Sequence, residues 1–300
     1  FDAAVAAGLP PATLAFERVA LTYLRGQVDS ALAQLKELVK ADKANVRAWG
    51  LLAMLSADGH DPAAYDKAVA ALKNLLGSSP DVRLLLAELH VGRKDWAAAR
   101  AELDQVTRMN PRMVRAWELL VNIDFQERKR ELAEDHVRIL LTLDPENYTG
   151  NLMLASFQYA RGQLSLAESS YRAALAARRD PVALNDLAYL LMVGKGGAQG
   201  EARALIEEAL ARQPGNVLFL STRGELNLRE GRYDEAEKDL QRVLQEMPDH
   251  AQVLLLSAQL YAARGQTAAA RDLLATLEQR QSELPAEMQA QLQALTKELR

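Results

Sequence analysis

Residues 217–250 read VLFLSTRGELNLREGRYDEAEKDLQRVLQEMPDH, and residues 251–284 read AQVLLLSAQLYAARGQTAAARDLLATLEQRQSEL. The two stretches align without a gap over 34 residues, with Gly231 opposite Gly265 and Ala236 opposite Ala270. Self-similarity at a fixed spacing of this length indicates a repeat architecture in which each unit is a helix, a turn and a second helix. This pair of stretches therefore sets the frame for the rest of the chain.

The same period extends toward the N-terminus. Pro111 and Pro145 lie 34 residues apart, as do Pro214 and Pro248, and Ala202 lies 34 residues before the alanine at 236. Glycine tolerates the left-handed conformation that ends the first helix of a unit, and proline stops the second helix. Alanine lets two helices approach closely. The chain is therefore predicted to be a series of helical hairpins.

This pattern is similar to that of the tetratricopeptide repeat (TPR) family over essentially the whole chain. In residues 114–147, the family's aromatic, leucine, small, alanine, large, aliphatic and proline positions hold Trp117, Leu120, Val121, Ala133, Val137, Leu140 and Pro145. The resemblance implies an all-α fold, a right-handed superhelical solenoid of antiparallel helix pairs. It also implies a protein that binds another polypeptide.

The predicted organisation has three parts. Residues 1–11 are expected to be the remnant second helix of a truncated preceding repeat, residues 12–285 the TPR array, and residues 286–300 a C-terminal capping helix with its leucines on one stripe. The array is predicted to hold about eight units, at 12–45, 46–80, 81–113, 114–147, 148–180, 181–216, 217–250 and 251–285.

The composition excludes several classes of function. The 36 lysines and arginines and 40 acidic residues give a net charge of −4 and are interleaved along the chain, which does not favour a nucleic-acid partner. The absence of cysteine excludes a disulfide scaffold, a thiolate zinc site and a cysteine nucleophile. The longest apolar stretches fall well short of the roughly 20 residues that a transmembrane helix needs.

No cluster of residues suggests catalysis, a metal or a cofactor. The four histidines, at positions 60, 90, 136 and 250, fall in different units and have no second ligand at metal spacing. The glycine-rich segment 194–200 lacks the residue order of a phosphate loop, and we expect it to be the most mobile internal turn. We therefore predict a protein that is not an enzyme.

In the TPR family the first helices line a concave groove, so the resemblance places the partner there. The stripe of residues at the groove positions is Phe16, Tyr23, Arg47, Met54, Leu84, Glu88, Arg115, Glu118, Asn122, Phe125, Leu152, Tyr159, Asn185, Tyr189, Met192, Glu225 and Arg229. Aromatic rings offer contact area, and asparagine can pair with a peptide backbone. Alternatively, roughly half of the stripe packs against neighbouring helices.

The principal partner contacts are predicted at Asn122, Phe125, Tyr159, Asn185 and Tyr189. Arg115, Glu118 and Met192 complete the set of groove candidates. The clamp with which some TPR domains hold the C-terminal carboxylate of heat-shock chaperones is absent, because Glu118 stands where that clamp has lysine.

The repeats resemble those of bacterial envelope proteins for exopolysaccharide export, pilus assembly or protein sorting. The leading hypothesis is thus a non-catalytic scaffold or adaptor, in the periplasm or envelope in preference to the cytoplasm. One alternative is the recruiting arm of a longer enzyme such as a glycosyltransferase. Another is a peptide-sensing regulator, although no helix-turn-helix module is left over once the repeats are assigned.

Overall fold

The computed structural model describes residues 14–57, 61–77, 79–194 and 197–299. Within these ranges the chain forms seventeen α-helices and no β-strand, and no helix there has both the length and the apolar character to cross a membrane. Adjacent helices pair, so the predicted all-α fold of helical hairpins is confirmed. The helices are α1 (Ala15–Leu24), α2 (Val28–Ala41), α3 (Val46–Ser56), α4 (Pro62–Leu76), α5 (Pro80–Gly92), α6 (Trp96–Met109), α7 (Val114–Gln126), α8 (Arg130–Leu143), α9 (Tyr148–Ala160), α10 (Leu164–Ala177), α11 (Pro181–Val193), α12 (Gln199–Arg212), α13 (Val217–Arg229), α14 (Tyr233–Glu246), α15 (Ala251–Ala263), α16 (Thr267–Glu278) and α17 (Ala286–Glu298).

The chain divides into two compact units between Pro145 and Glu146. Helices α1 to α8 form four pairs in the first unit. Helices α9 to α16 form four pairs in the second unit, where α17 packs on α15 and α16. In every pair the odd-numbered helix comes first, and it makes its most extensive contacts with the even-numbered helix that follows.

The turn inside a pair uses a residue with a positive φ angle. Gly162 and Gly231 have φ angles of 71° and 74°, which glycine adopts without a steric penalty. Lys94 and Arg128 occupy the same turn position in two pairs of the first unit, with φ angles of 58° and 57°. Because a Cβ atom is strained in the left-handed region, these two turns hold local strain that glycine would remove.

A fully buried alanine recurs on the second helix of each pair, where it lets the two helices approach closely. The series is Ala31, Ala68, Ala99, Ala133, Ala167, Ala202, Ala236 and Ala270. Gly224 has the same effect on a first helix, because a Cβ atom added there would lie 2.9 Å from Cδ2 of Leu240. Larger apolar side chains around these small residues form the core of each unit.

Helix α17 adds to the core of the second unit. Its residues Leu292 and Leu295 are buried in one apolar cluster with Leu254 of α15 and Leu274 of α16. The remnant helix predicted at 1–11 lies outside the described residues, as do the residues at 195 and 196 of the segment predicted to be mobile.

Candidate functional site

The first helices of the second unit line a cleft of about 910 Å³. Helices α9, α11, α13 and α15 supply side chains to it, and α17 with the preceding Pro285 supplies more. The polar side chains in the lining are Tyr159, Tyr189, Glu225, Arg229, Gln252, Gln259, Glu287 and Gln291, and the larger apolar ones are Leu164, Val193, Leu228, Leu256 and Met288. Such a mixture of apolar surface and a few polar groups is typical of a binding site.

A pair of tyrosines forms one end of this cleft. The ring centroids of Tyr159 on α9 and Tyr189 on α11 are 6.2 Å apart, and the ring planes meet at 74°, an edge-to-face contact. Both rings are half-buried and pack against the core of the second unit. Burial raises the pKa of both hydroxyls above the ordinary value, so both remain neutral at physiological pH. The pair therefore offers packed aromatic surface that carries two neutral hydroxyls.

An ion pair on α13 contributes the next group of the cleft. Oε1 of Glu225 accepts hydrogen bonds from Nε and Nη2 of Arg229, at 3.0 and 2.8 Å. Glu225 is only 7% exposed, and the guanidinium one turn away compensates its burial. After burial, the negative charge of Glu225 is the next cause that raises the pKa of Tyr189. The carboxylate thus acts electrostatically on the tyrosine pair.

A second carboxylate reaches the cleft from α17. Glu287 is exposed, and its charge contributes to the raised pKa of Tyr159, after burial as the first cause and against a hydrogen bond with Tyr189 that lowers it. The amides of Gln252, Gln259 and Gln291 add hydrogen-bonding groups that can pair with a peptide backbone. The cleft therefore presents rings, amides and two carboxylates.

Beside the tyrosines, α11 carries a polar pair with incomplete hydrogen bonding. Nδ2 of Asn185 donates to Oδ1 of Asp186 at 3.2 Å, while Oδ1 of Asn185 is buried without a hydrogen-bond partner within the described chain. Burial raises the pKa of Asp186 to about 6. Asn185 lies outside the lining of the cleft, and the raised pKa of Asp186 is a feature that sequence spacing gave no means to predict.

Four of the predicted contact residues lie on α7, in the first unit. Arg115 is engaged in ion pairs, from Nε to Oε1 of Glu88 at 2.9 Å and from Nη1 to Oε2 of Glu118 at 3.2 Å. Asn122 is exposed, and Phe125 is 49% exposed. Helix α7 therefore presents a salt-bridged pair at its start and an exposed amide and ring farther along.

The first unit has a cleft of its own, of about 460 Å³. Its lining includes Tyr23, Met54 and Glu88, which come from α1, α3 and α5. These three residues belong to the stripe that the sequence places on the groove side of the first helices. The cleft is about half the volume of the one in the second unit.

One predicted contact residue is not available to a partner. Met192 is only 4% exposed and belongs to the core cluster of the second unit. Helix α11 is apolar on almost every side, so its sequence pattern does not distinguish the face in the core from the face in the cleft. The prediction that Met192 contacts the partner is therefore wrong.

A polar contact between the two helices of a pair occurs at the same place in three pairs. In the first of these, Nδ1 of His136 lies 2.6 Å from Oδ2 of Asp124, a side chain with no exposed surface. Hydrogen bonding of buried polar groups offsets the cost of removing them from water. The three contacts join Asp124 to His136, Gln158 to Ser170, and Asn227 to Asp239.

An arginine from the preceding pair completes two of these contacts. Nη2 of Arg100 on α6 donates to Oδ1 of Asp124 at 2.5 Å, and Nη2 of Arg203 on α12 donates to Oδ1 of Asn227 at 2.7 Å. Each arginine thereby links one repeat to the next. These residues are consequently part of the structure that holds the repeats together, within each unit. Among the residues that the structure describes, no group of three or more histidine, aspartate and glutamate side chains could hold a metal ion.

Comparison with known proteins agrees with this architecture. Two family models, both described as tetratricopeptide repeat, match the chain, one at residues 60–123 and 227–295 and the other at residues 119–183 and 200–251. The TPR repeat-containing protein PA4667 of Pseudomonas aeruginosa is 31% identical over 171 residues, which are 54% of this chain and 27% of the relative. The chain thus spans about a quarter of the length of this curated relative.

Solved structures share the fold at low sequence identity. Cut9, in the APC/C hetero-tetramer Cut9-Hcn1, has a TM-score of 0.62 at 16% identity, over 94% of this chain and 55% of that one. PilW, a widely conserved type IV pilus biogenesis factor, has a TM-score of 0.55 at 20% identity, over 70% of this chain and 97% of PilW. The pilF protein of Pseudomonas aeruginosa has a TM-score of 0.54 at 16% identity, over 69% of this chain and 94% of that one. Together with the repeat pattern and the paired helices, the two family matches show that the chain belongs to the tetratricopeptide repeat family.

Proposed function

We propose that this protein is a non-catalytic scaffold that binds an extended segment of a partner polypeptide in the cleft of the second unit. Folds built from these repeats typically serve as scaffolds for protein interactions. The observation that carries the proposal is the convergence of five helices on one cleft that contains the Tyr159–Tyr189 pair. Its volume of about 910 Å³ lies within the range of roughly 300 to 1,000 Å³ that binding pockets occupy.

Each group in the cleft has a part in this binding. The tyrosine rings provide rigid contact area at a small cost in conformational entropy. The amides of Gln252 and Gln259, on the same helix, pair with backbone groups of the bound segment. The apolar side chains between them cover the aliphatic part of the partner.

A second contact region is proposed on α7 of the first unit. There Asn122 offers an exposed amide and Phe125 an exposed ring, both suited to a polypeptide. Arg115 has its charge compensated by Glu88 and Glu118, so it contributes less to this region than the sequence pattern suggests. We further propose that each helix pair is one repeat, with the limits given above, and that α17 is the C-terminal cap.

The proposed setting is the assembly of a bacterial envelope structure, exopolysaccharide export or secretion, with the protein in the periplasm or associated with the envelope. The support is the style of the repeats and the shared fold with PilW and pilF, of which PilW is described as a pilus biogenesis factor. Fractionation of the source bacterium, with an antibody against this chain, tests the location. Recovery of the protein in the cytoplasmic fraction alone would contradict it.

The binding function is tested with a phage-displayed library of random 12-residue peptides selected on the purified protein. The enriched peptides are synthesised and titrated by calorimetry into the wild type, into Tyr189→Ala and into Gln245→Ala, a control on the opposite helix of its pair. The proposal expects peptides whose affinity falls in Tyr189→Ala and is unchanged in the control. Enriched peptides that bind both variants as they bind the wild type would place the site elsewhere.

A further inference from the structure

The cleft of the second unit has an excess of negative charge. Its charged lining residues are Glu225, Arg229 and Glu287. Arg229 is already paired with Glu225, with hydrogen bonds of 2.8 and 3.0 Å. Glu287 has no ion-pair partner in the part of the chain that the structure describes. One carboxylate is thus left without a counter-charge at the edge of the site.

The tyrosine pair lies between these two carboxylates electrostatically. The charges of Glu287 and Glu225 both oppose ionisation of the Tyr159 hydroxyl and, with burial, raise its pKa. The same negative field that disfavours a phenolate favours a cation over the rings. The tyrosine faces and the unpaired carboxylate therefore attract the same kind of group.

Elsewhere in the chain, aromatic rings already have an arginine over them. The guanidinium carbon of Arg93 lies 4.2 Å from the ring centroid of Tyr65, and that of Arg178 lies 3.7 Å from the centroid of Tyr148. In the described part of the second unit no such cation covers Tyr159 or Tyr189. The two cleft tyrosines have the electron-rich faces without the cation.

We propose that the polypeptide segment bound in this cleft carries a lysine or arginine side chain, which is held between the Tyr159–Tyr189 pair and the carboxylate of Glu287. This inference rests on the proposed function and adds the charge of the partner to it. The positive group completes the missing ion pair and lies against the aromatic faces, while the glutamine amides hold the adjoining backbone. Acidic segments are repelled by the same carboxylates, and Arg229 is not free to attract them because Glu225 holds it.

The test uses peptides from the selection described above, each synthesised also with every Lys and Arg changed singly to Ala. Calorimetric titrations are made with the wild type, Glu287→Gln and Glu235→Gln. Glu235 is an exposed glutamate on α14, outside the cleft, and its change to Gln matches the loss of one negative charge in the same unit.

Glu287→Gln is expected to weaken binding of the parent peptides about 5-fold, because one exposed ion pair is lost. Removal of the contacting Lys or Arg from the peptide is expected to weaken binding to the wild type by about 5-fold or more. The two changes together are expected to have much less effect than the product of the separate ones, since both remove the same contact. Glu235→Gln leaves the affinity unchanged.

The inference and the proposed function can fail separately. Peptides that need Tyr189 but contain no enriched Lys or Arg, or that bind Glu287→Gln as well as the wild type, would overturn the inference and leave the binding function in place. Enriched acidic peptides that depend on Tyr189 would overturn it in the same way. If no enriched peptide depends on Tyr189, the cleft is not the binding site and the proposed function fails as well.

Discussion

Asp124 and His136 form a polar contact of 2.6 Å between α7 and α8, and Asp124 has no surface exposed to solvent. The equivalent residues of a later pair, Asn227 and Asp239, are in contact at 3.2 Å with the carboxylate on the other helix. The structure thus holds two solutions to the same packing problem, and the carboxylate occupies opposite ends of the contact in them.

This exchange predicts the behaviour of a double variant. His136→Asp places a second carboxylate against the buried Asp124, and we expect it to lower the free energy of unfolding of the first unit by about 2 to 4 kcal/mol. Adding Asp124→Asn reproduces the arrangement of the later pair and should recover at least about 1 kcal/mol, since the introduced amide can donate to the carboxylate. Urea denaturation followed by circular dichroism measures both values. A double variant less stable than His136→Asp would show that the two contacts are not interchangeable.

The aromatic pair of the cleft gives a binding prediction. Tyr159→Ala and Tyr189→Ala should each weaken a cleft-dependent peptide by about 1 to 3 kcal/mol, as expected for a half-buried aromatic anchor, and should leave the helical circular dichroism intact. Asn185→Ala, one turn before Tyr189 and outside the cleft lining, should change the affinity by less than about 0.5 kcal/mol. A larger effect of Asn185→Ala than of Tyr189→Ala in calorimetry would transfer the contact to the amide.

Asp186 gives a prediction about pH. Burial raises its pKa from 3.8 to about 6, so between these values the folded protein binds more protons than the unfolded chain. The free energy of unfolding should therefore fall as the pH rises from about 4 to about 6, and this contribution should be constant above that window. Asp186→Asn removes the penalty and should stabilise the protein by about 1 to 2 kcal/mol at pH 8, with little change at pH 4.

The control for this prediction is Asp249→Asn, which removes an exposed carboxylate from the same unit. Urea denaturation at pH 4 and pH 8 gives the two differences for each variant. Equal effects of Asp186→Asn at both pH values would show that the carboxylate carries no proton in the folded protein.

The strained turns of the first unit predict a stabilising substitution. Lys94→Gly and Arg128→Gly should each raise the free energy of unfolding by about 0.5 to 1 kcal/mol, because both residues have a positive φ angle that glycine adopts freely. Gly162→Ala at the equivalent turn should lower it by a similar amount, and open space around that position means that backbone strain is the only cause. Thermal denaturation of the three variants checks the signs, and a destabilising Arg128→Gly would contradict the argument.

The pairing of the helices could be predicted from the sequence because it depends on a few residue types that recur every 34 positions. Alanine at 236 and 270 and glycine at 231 and 265 are required by close packing and by a left-handed turn, and both requirements are local. The frame locates a turn even where glycine is replaced, as at Arg128, although it does not predict that this residue has a positive φ angle.

The site could be predicted only in part. The period places Tyr159 and Tyr189 at equivalent positions of successive first helices, and in the structure they meet across 6.2 Å. It assigns Met192 to the same side, although the apolar surface of α11 turns that residue into the core. Glu287 was not predicted, because its place in the cleft depends on where α17 packs, and no repeat fixes that geometry.

Helix α17 forms a wall of the cleft through Glu287 and Met288, yet it is held in place by only two buried side chains, Leu292 and Leu295. An element with so few buried contacts detaches more readily than the paired helices. Because the cleft is complete only while α17 is docked, the observed affinity equals the intrinsic affinity scaled by the docked fraction. The strength of partner binding can thus be adjusted like a rheostat by changes on the hidden side of α17, far from any group that touches the partner.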